Sequence, residues 1–486
     1  MNPTTHKPVS EREWSEAADA LAAGRLTLLG LWGDAPDVHM ATLDAAGGIA
    51  VLTYTCETGA YPSIAARHPP AIRFERAIRD LYGLNATGAP DTRPWLDLGF
   101  WPLRHPLGAA APAEKAAPYE FLPAEGNGLH QIPVGPVHAG IIEPGHFRFT
   151  ANGEHVVRLE QRLGYVHKGV ERLMQGAAPA DAAKLAGRIS GDSTVAYALA
   201  FAQACETALA IAPPPRAVYL RALMAELERI ANHFGDIGAI CNDASFAIMH
   251  AQTGILRERT LRAAQACFGH RLMMDAIVPG GVARDIAPGG AAQIADLLAE
   301  VRAVFPKLVE LYDNTASLQD RTVTTGIVTP ALARQFGAGG YVGRASGRAF
   351  DARRTVGYAP YDDLAFDVPV LDAGDVNARV WIRIREVEQS LSLIGQIVAR
   401  LPGGAIATPL SDHGAAGEGL ALVEAFRGDV LVWLRLGADG RIARCHLRDA
   451  SWFQWPLLET AIEGNIVADF PLCNKSFNCS YSGHDL

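Results

Sequence analysis

The chain has 486 residues, 49% of them apolar and 20% charged, a composition that belongs to globular proteins with room for two or three domains and excludes a disordered chain. Its 43 basic residues against 52 acidic ones give a net charge of −9, which argues against a sequence-independent grip on nucleic acid phosphates. The seven cysteines, Cys56, Cys205, Cys241, Cys267, Cys445, Cys473 and Cys479, are odd in number and scattered, unlike a disulfide framework, and fit a reducing cytoplasm. Met1 to Trp14 is polar and the apolar residues beyond it are broken by Asp19 and Arg25, so no secretory signal is expected. The longest uncharged helical run, between Asp192 and Glu206, is too short to span a bilayer.

Thr27 to Trp32 and Gly48 to Tyr54 alternate like strands and Ala71 to Tyr82 has helical spacing, which predicts a small α/β domain over residues 1–110. From Arg104 to Gly128, Ala, Pro, Gly and Glu displace hydrophobic periodicity, so a linker is expected over 111–128 before a second domain, 129–486. In the latter, His138 to Val157 reads as strand, turn, strand, with Asn152-Gly153 as the turn. Core helices are expected over Leu185–Ile211, Val218–Ile240 and Ile255–Ala276, and further helices over Ala291–Leu318 and Val376–Leu401. The fold class is thus α+β, a small α/β domain followed by a large, mainly helical one with a small β-hairpin or sheet.

Arg188-Ile189-Ser190-Gly191-Asp192-Ser193 stands where a polar turn enters a long apolar helix. Taken alone it reads as a cap, with Asp192 or Ser193 at the N-cap. Arg344, Ser346, Asp351, Arg353 and Arg354 follow the glycines at 337, 339 and 340. They lack the Lys-[Ser/Thr] ending of a phosphate loop, which argues against nucleotide binding. Either a buried ion-pair network or a solvated loop accounts for them.

The run VGPVHAGIIEPGHFRFTANGEHVVRLEQRLGYVHKGVERL from Val134 resembles the opening of the large subunit of energy-converting nickel–iron hydrogenases and of its complex I counterpart, the 49 kDa subunit. RISGDSTVAYALAFAQACE from Arg188, ELERIANHFGDIGAICND from Glu226, PGGVARDI from Pro279 and GRASGRAFDARR from Gly343 follow in the same order. Ile72 to Gly108 resembles the complex I 30 kDa subunit, so the chain is similar to the fused large subunits of formate hydrogenlyase and hydrogenase-4 type complexes.

That resemblance implies a centre held by two Cys-x-x-Cys pairs, because soft thiolates suit such metals. At those positions this chain has Ser190 and Ser193 and, at the C-terminus, Ser480 and Gly483; protonated hydroxyls are poor substitutes, and no metal is expected. Cys473 and Cys479 lie close by in sequence, as small buried residues or, for Cys479 in a shifted register, one lone ligand. The complex I counterpart of the cavity resembles a quinone headgroup pocket with a histidine in the first hairpin, matched by His138, and a tyrosine where this chain has Gly191. Tyr197, one turn beyond Ser193, offers a hydroxyl or is a core residue. Glu143 matches a proton-relay glutamate of the hydrogenases, or is a solvated turn residue. His167 and Lys168 match an element facing the iron–sulfur cluster of a small partner subunit; Asn232, His233 and Asp236 share helical spacing and either line the same wall or, for His233, serve the core.

The implied function is a subunit of a membrane-associated, complex I-like oxidoreductase, receiving electrons from a partner [4Fe-4S] subunit and coupling to ion-translocating membrane subunits, and not a hydrogenase by itself. Arg188, Ser190, Asp192, Ser193 and Tyr197 would line its pocket, with quinone a candidate ligand, and Glu143 and His138 would move protons. The implied partners are a 20 kDa-like iron–sulfur subunit, a ferredoxin-like subunit and antiporter-like membrane subunits, which would hold the chain peripherally on the cytoplasmic face of the inner membrane. A redox-inactive structural subunit is the alternative, and a working nickel–iron hydrogenase the third reading.

Overall fold

The structure is a computed structural model that describes residues 4–113, 118–410 and 416–486. At the N-terminus the helix Glu11–Ala22 starts from a capping box, with Ser10 and Glu13 satisfying each other's backbone N–H groups. Its Trp14, Ala17, Ala18 and Leu21 face the core. The adjacent four-stranded sheet runs Thr5–Pro8, Ile49–Thr55, Asp37–Leu43, Thr27–Asp34 in spatial order, the first pair parallel and the rest antiparallel. The helix Ile72–Tyr82 follows, ended by Gly83 in the left-handed region.

A second sheet places His146–Asn152 between Leu129–Val134 and His155–Arg162, all antiparallel. The turn at Asn152-Gly153 is as expected, with Gly153 at φ +58°. His138 lies outside these strands, in the loop that joins the first two. Between Arg104 and Gly128 most described residues are exposed, but the segment is tied to the body of the protein at points. Arg76 Nη2 donates to the Tyr119 hydroxyl at 2.8 Å and Leu122 N to Glu160 Oε2 at 2.8 Å.

The expected helix over Leu185–Ile211 is broken in two, Pro179–Ala186 and Thr194–Leu209. The break comes where Gly187 ends the first piece and its carbonyl accepts from Thr194 Oγ1 at 2.5 Å, leaving Ser190 extended. Pro215–Asp243 is one long helix, while the third core helix runs Ala247–Phe268, stopped by Gly269 at φ +77° rather than continuing to Ala276. Val376–Arg400 agrees with expectation, while the helix expected over Ala291–Leu318 ends at Asp313 and a second, Ala316–Thr322, starts after Asn314 and Thr315.

A third antiparallel sheet was not expected: Gly417–Glu424, Asp429–Leu436 and Ile442–Arg448. The helix Thr194–Leu209 packs on it, and only glycine fits the contact, since a Cβ on Gly419 would stand 1.9 Å from the Ala204 carbonyl oxygen. The short helices Ser451–Ala461, Phe470–Phe477 and Tyr481–Asp485 close the chain. They carry the core across to the N-terminal elements: Phe74 stacks on Trp452 at 4.6 Å, and Phe147 and Phe149 meet Phe470 at 5.0 and 4.9 Å. Arg73 pairs with Glu459 at 2.7 Å.

Candidate functional site

Three segments far apart in sequence meet at the entrance of the helix Thr194–Leu209. Ser190 and Ser193 come from the turn before it, Arg427 from the turn between two strands of the third sheet, and Ser480 and Gly483 from the last short helix. The first two backbone N–H groups of the helix proper after Thr194 are capped by a distant carboxyl group. Val195 N and Ala196 N donate to Glu228 at 2.7 and 3.1 Å. Ser193 stands at the N-cap, one of the two positions expected, but its side chain makes no capping hydrogen bond. Relieved of that task, Ser193 and Asp192 turn their side chains to Arg427.

Asp192 and Arg427 form the centre. Arg427 Nη1 donates to Asp192 Oδ1 at 3.0 Å and to Ser193 Oγ at 3.1 Å, and Nη2 bonds the other carboxylate oxygen. Ser190 Oγ donates to Asp192 Oδ1 at 2.5 Å, and Ser480 Oγ reaches Ser190 Oγ at 3.4 Å. Burial alone would raise the Asp192 pKa; the Arg427 cation and the hydrogen bonds from Arg427, Ser190 and Ser193 outweigh it and hold the carboxyl at about 2. Ser480 Oγ accepts from Gly483 N at 2.9 Å, which caps the last helix.

Tyr197 is fully buried and donates to Asp449 Oδ2 at 2.8 Å. That carboxylate also fills the space beside Gly483, where a Cβ would lie 2.8 Å from Asp449 Oδ2 and 2.9 Å from Ser480 Oγ. These positions therefore do not fit a thiolate-held metal. Three present hydroxyls, a guanidinium points among them, and a side chain at the fourth would have to displace Asp449 and Ser480. Among the described residues no group of three or more His, Cys, Asp or Glu is arranged to hold a metal ion. Burial pushes the Cys479 thiol well above its ordinary value, and its sulfur approaches Gln454 rather than the serines. Cys473 is buried against Gly326.

The turn that presents Arg427 is held from three sides. Arg229 donates to the carbonyls of Ala425 and Glu424 at 2.9 and 2.8 Å, and Gln454 Nε2 donates to Arg427 O at 2.8 Å. Gly340, at φ +60°, packs so closely that a Cβ would stand 1.9 Å from Arg427 O. Behind the turn lies a buried charge network. Arg344, fully buried, bonds Glu386 and Glu424 at 2.8 Å each, and Arg353 bonds Asp351 at 2.7 Å and Glu226 at 2.9 Å. Ser346 stands outside it, donating to its own helix at Val342 O, and Arg354 is exposed over Phe366.

Glu143 and His138 reach the cluster from its rim. Ser482 N donates to Glu143 Oε2 at 3.0 Å, and His138 Nε2 meets the Tyr481 hydroxyl at 3.3 Å, so both touch the helix that carries Gly483. Lys168 Nζ donates to Ile189 O at 2.9 Å, next to Ser190, and His167 Nδ1 bonds Asp485 O at 2.7 Å. Arg188 is not brought to the cluster; it is exposed and grips Asp275 with both guanidinium nitrogens at 2.7 Å. His233 and Asp236 do not form an outward wall. His233 is fully buried on Glu386 at 2.8 Å, and Asp236 is buried between Arg383 and Asn478. Asn232 supports the turn, donating to Asp192 O at 2.7 Å. Gly191 is exposed in that turn, beside Leu272. Sequence reading missed Arg427 and Asp449; Phe426-Arg427-Gly428-Asp429 as a tight turn between apolar runs was the available signal for the first.

The sequence matches three family profiles: Respiratory-chain NADH dehydrogenase, 30 Kd subunit, over residues 37–116; Nickel-dependent hydrogenase over 168–235; and Respiratory-chain NADH dehydrogenase, 49 Kd subunit, over 244–413. Formate hydrogenlyase subunit 5 of Escherichia coli (strain K12) is 32% identical over 436 residues, covering 87% of this chain and 77% of that one. An NADH-quinone oxidoreductase subunit of Roseiflexus sp. (strain RS-1) is 32% identical over 352 residues, 70% of this chain and 94% of its own. Among solved structures, a chain of the membrane-bound sulfane sulfur reductase, an archaeal respiratory membrane complex, has the same fold. Its TM-score is 0.70 at 24% identity, over 74% of this chain and 98% of that chain.

Proposed function

The chain belongs to the family of large subunits shared by membrane-bound hydrogenases and complex I-type oxidoreductases, and from that premise we propose that it is a non-hydrogenase member, an electron-transfer subunit without a nickel–iron centre. The observation that carries this reading is the Asp192–Arg427 pair seated among Ser190, Ser193 and Ser480. Hard hydroxyl donors and a fixed cation oppose metal binding where the hydrogenases place thiolates. Electrons arrive from the cluster of a 20 kDa-like iron–sulfur partner beside His167 and Lys168, with a ferredoxin-like subunit upstream. They leave to a small acceptor, a quinone being the candidate, while Glu143 and His138 at the rim supply protons. Among the described residues no helix is long and apolar enough to cross a membrane, so attachment is through antiporter-like membrane subunits at the cytoplasmic face.

A second reading, a structural subunit with no redox role, is favoured by one observation: the hydroxyl cluster is bonded closed. The two readings separate in the purified complex, reduced through its iron–sulfur subunit and turned over with a short-chain quinone. Glu143→Gln with His138→Gln should lower turnover by about a hundredfold, as loss of general acid–base groups does, while assembly stays intact. Unchanged turnover in a complex that still needs this chain to assemble establishes the structural role; no transfer to any acceptor refutes the first reading.

A further inference from the structure

Away from the serine cluster, a cavity of about 360 Å³ opens between the N-terminal elements and the third sheet. That is within the range of small-molecule sites. Its walls are aromatic and aliphatic: Trp32, Phe74, Leu96, Trp101, Leu107 and Trp452. Trp452 is the partition from the other site, since it also stacks on His484 at 4.2 Å. At the mouth, Leu103 and Leu173 are 46% and 58% exposed.

Two features distinguish this cavity from a packing defect. The first is a set of buried polar atoms with no hydrogen-bond partner among the described residues. The indole N–H groups of Trp32 and Trp452, the Tyr82 hydroxyl and His446 Nε2 are all in this state, and all four side chains line the cavity. Each such orphan costs about 1–3 kcal/mol, and native proteins rarely gather them in one place. The second is charge. The lining acids are already satisfied: Glu171 pairs with Arg444 and His446 at 2.8 Å each, and Asp485 accepts from Gly164 N and Val166 N. The lining cations Lys168 and Arg172 bond only neutral acceptors, Ile189 O and Gln175 Oε1, and form no ion pair among the described residues.

We propose that this cavity is a binding site for a planar aromatic anion. The ring system lies between the tryptophans and its anionic oxygens face Lys168 and Arg172. The inference goes beyond the electron-transfer reading and does not depend on it.

The probe is 1-anilinonaphthalene-8-sulfonate, titrated against the whole chain while dye emission and tryptophan quenching are followed. One saturable site is expected. Lys168→Gln and Trp101→Ala should each weaken binding about tenfold, the equivalent of roughly 1.4 kcal/mol, and binding should weaken with salt. Ile255→Ala, at an exposed apolar position on another face, should leave it unchanged, and a thermal melt of each variant checks the fold. Many weak sites insensitive to Lys168 and Trp101 would overturn the proposal. So would a single site that disappears in the assembled complex, since the cavity would then be the seat of a partner's side chain. The first outcome leaves the electron-transfer reading untouched, and the second agrees with it, since that reading seats the iron–sulfur partner beside His167 and Lys168, which line this cavity.

Discussion

Arg344→Met is expected to lower the unfolding free energy by about 3–5 kcal/mol, the cost of leaving buried charges without their partner. Arg344 and its carboxylates Glu386 and Glu424 are almost wholly shielded from water, at 0%, 1% and 0% side-chain exposure. Asp351 lies 3.6 Å away. Methionine fills much of the volume, so packing changes little and the loss reads as electrostatics. The effect also reaches the site, because Glu424 opens the turn that carries Arg427. The measurement is the shift of the urea midpoint at neutral pH. Adding Glu386→Gln should recover part of the loss, since one uncompensated charge is removed. A loss under about 1 kcal/mol would place this network with ordinary solvated ion pairs.

Glu228 provides the second large effect. Burial raises its pKa to about 8, against two backbone N–H bonds from Val195 and Ala196 that favour the charged form; the nearby Asp192 charge raises it further and Arg229 opposes. The folded chain therefore holds a proton that the unfolded chain releases above about 4.5. The sign follows: stability falls as pH rises between these values, by up to about 1.4 kcal/mol per pH unit. Over pH 5 to 8 the difference between the wild type and Glu228→Gln should change by on the order of 3 kcal/mol, the variant gaining relative stability toward alkaline pH. Parallel pH profiles for the two would mean that Glu228 is ionised throughout and caps its helix as a carboxylate.

Local chemistry explains which parts of this molecule were readable in its sequence. The hairpin at Asn152-Gly153 and most of the long helices follow from turn residues and period, and Ser190, Ser193, Ser480 and Gly483, singled out by motif order, are brought together by the fold. The third sheet escaped because its strands are buried on both faces: Leu420 to Glu424 and Asp429 to Leu434 are uninterruptedly buried, which erases the alternation that marks a strand. Arg427 and Asp449 were hidden with it, since they stand at the ends of those strands. Arg188 was misplaced for a different reason. Sequence adjacency to Ser190 says nothing of direction, and the break after Gly187 turns its side chain out to Asp275. The N-terminal helix was legible in the Ser10-Glu13 capping box and went unread because Asp19 and Arg25 interrupt the apolar residues that follow.

Nickel content is the most direct test of the central claim. The complex is purified in mild detergent from cells grown with nickel in excess, and the metal is measured by elemental analysis per copy of this chain, with iron from the partner's clusters as the internal standard. With Ser190, Ser193, Ser480 and Gly483 at the positions where the hydrogenases place thiolates, and Arg427 paired with Asp192 beside them, no stoichiometric nickel and no hydrogen uptake are expected. One nickel per chain, lost on substitution of Ser190 or Ser480, would contradict the account.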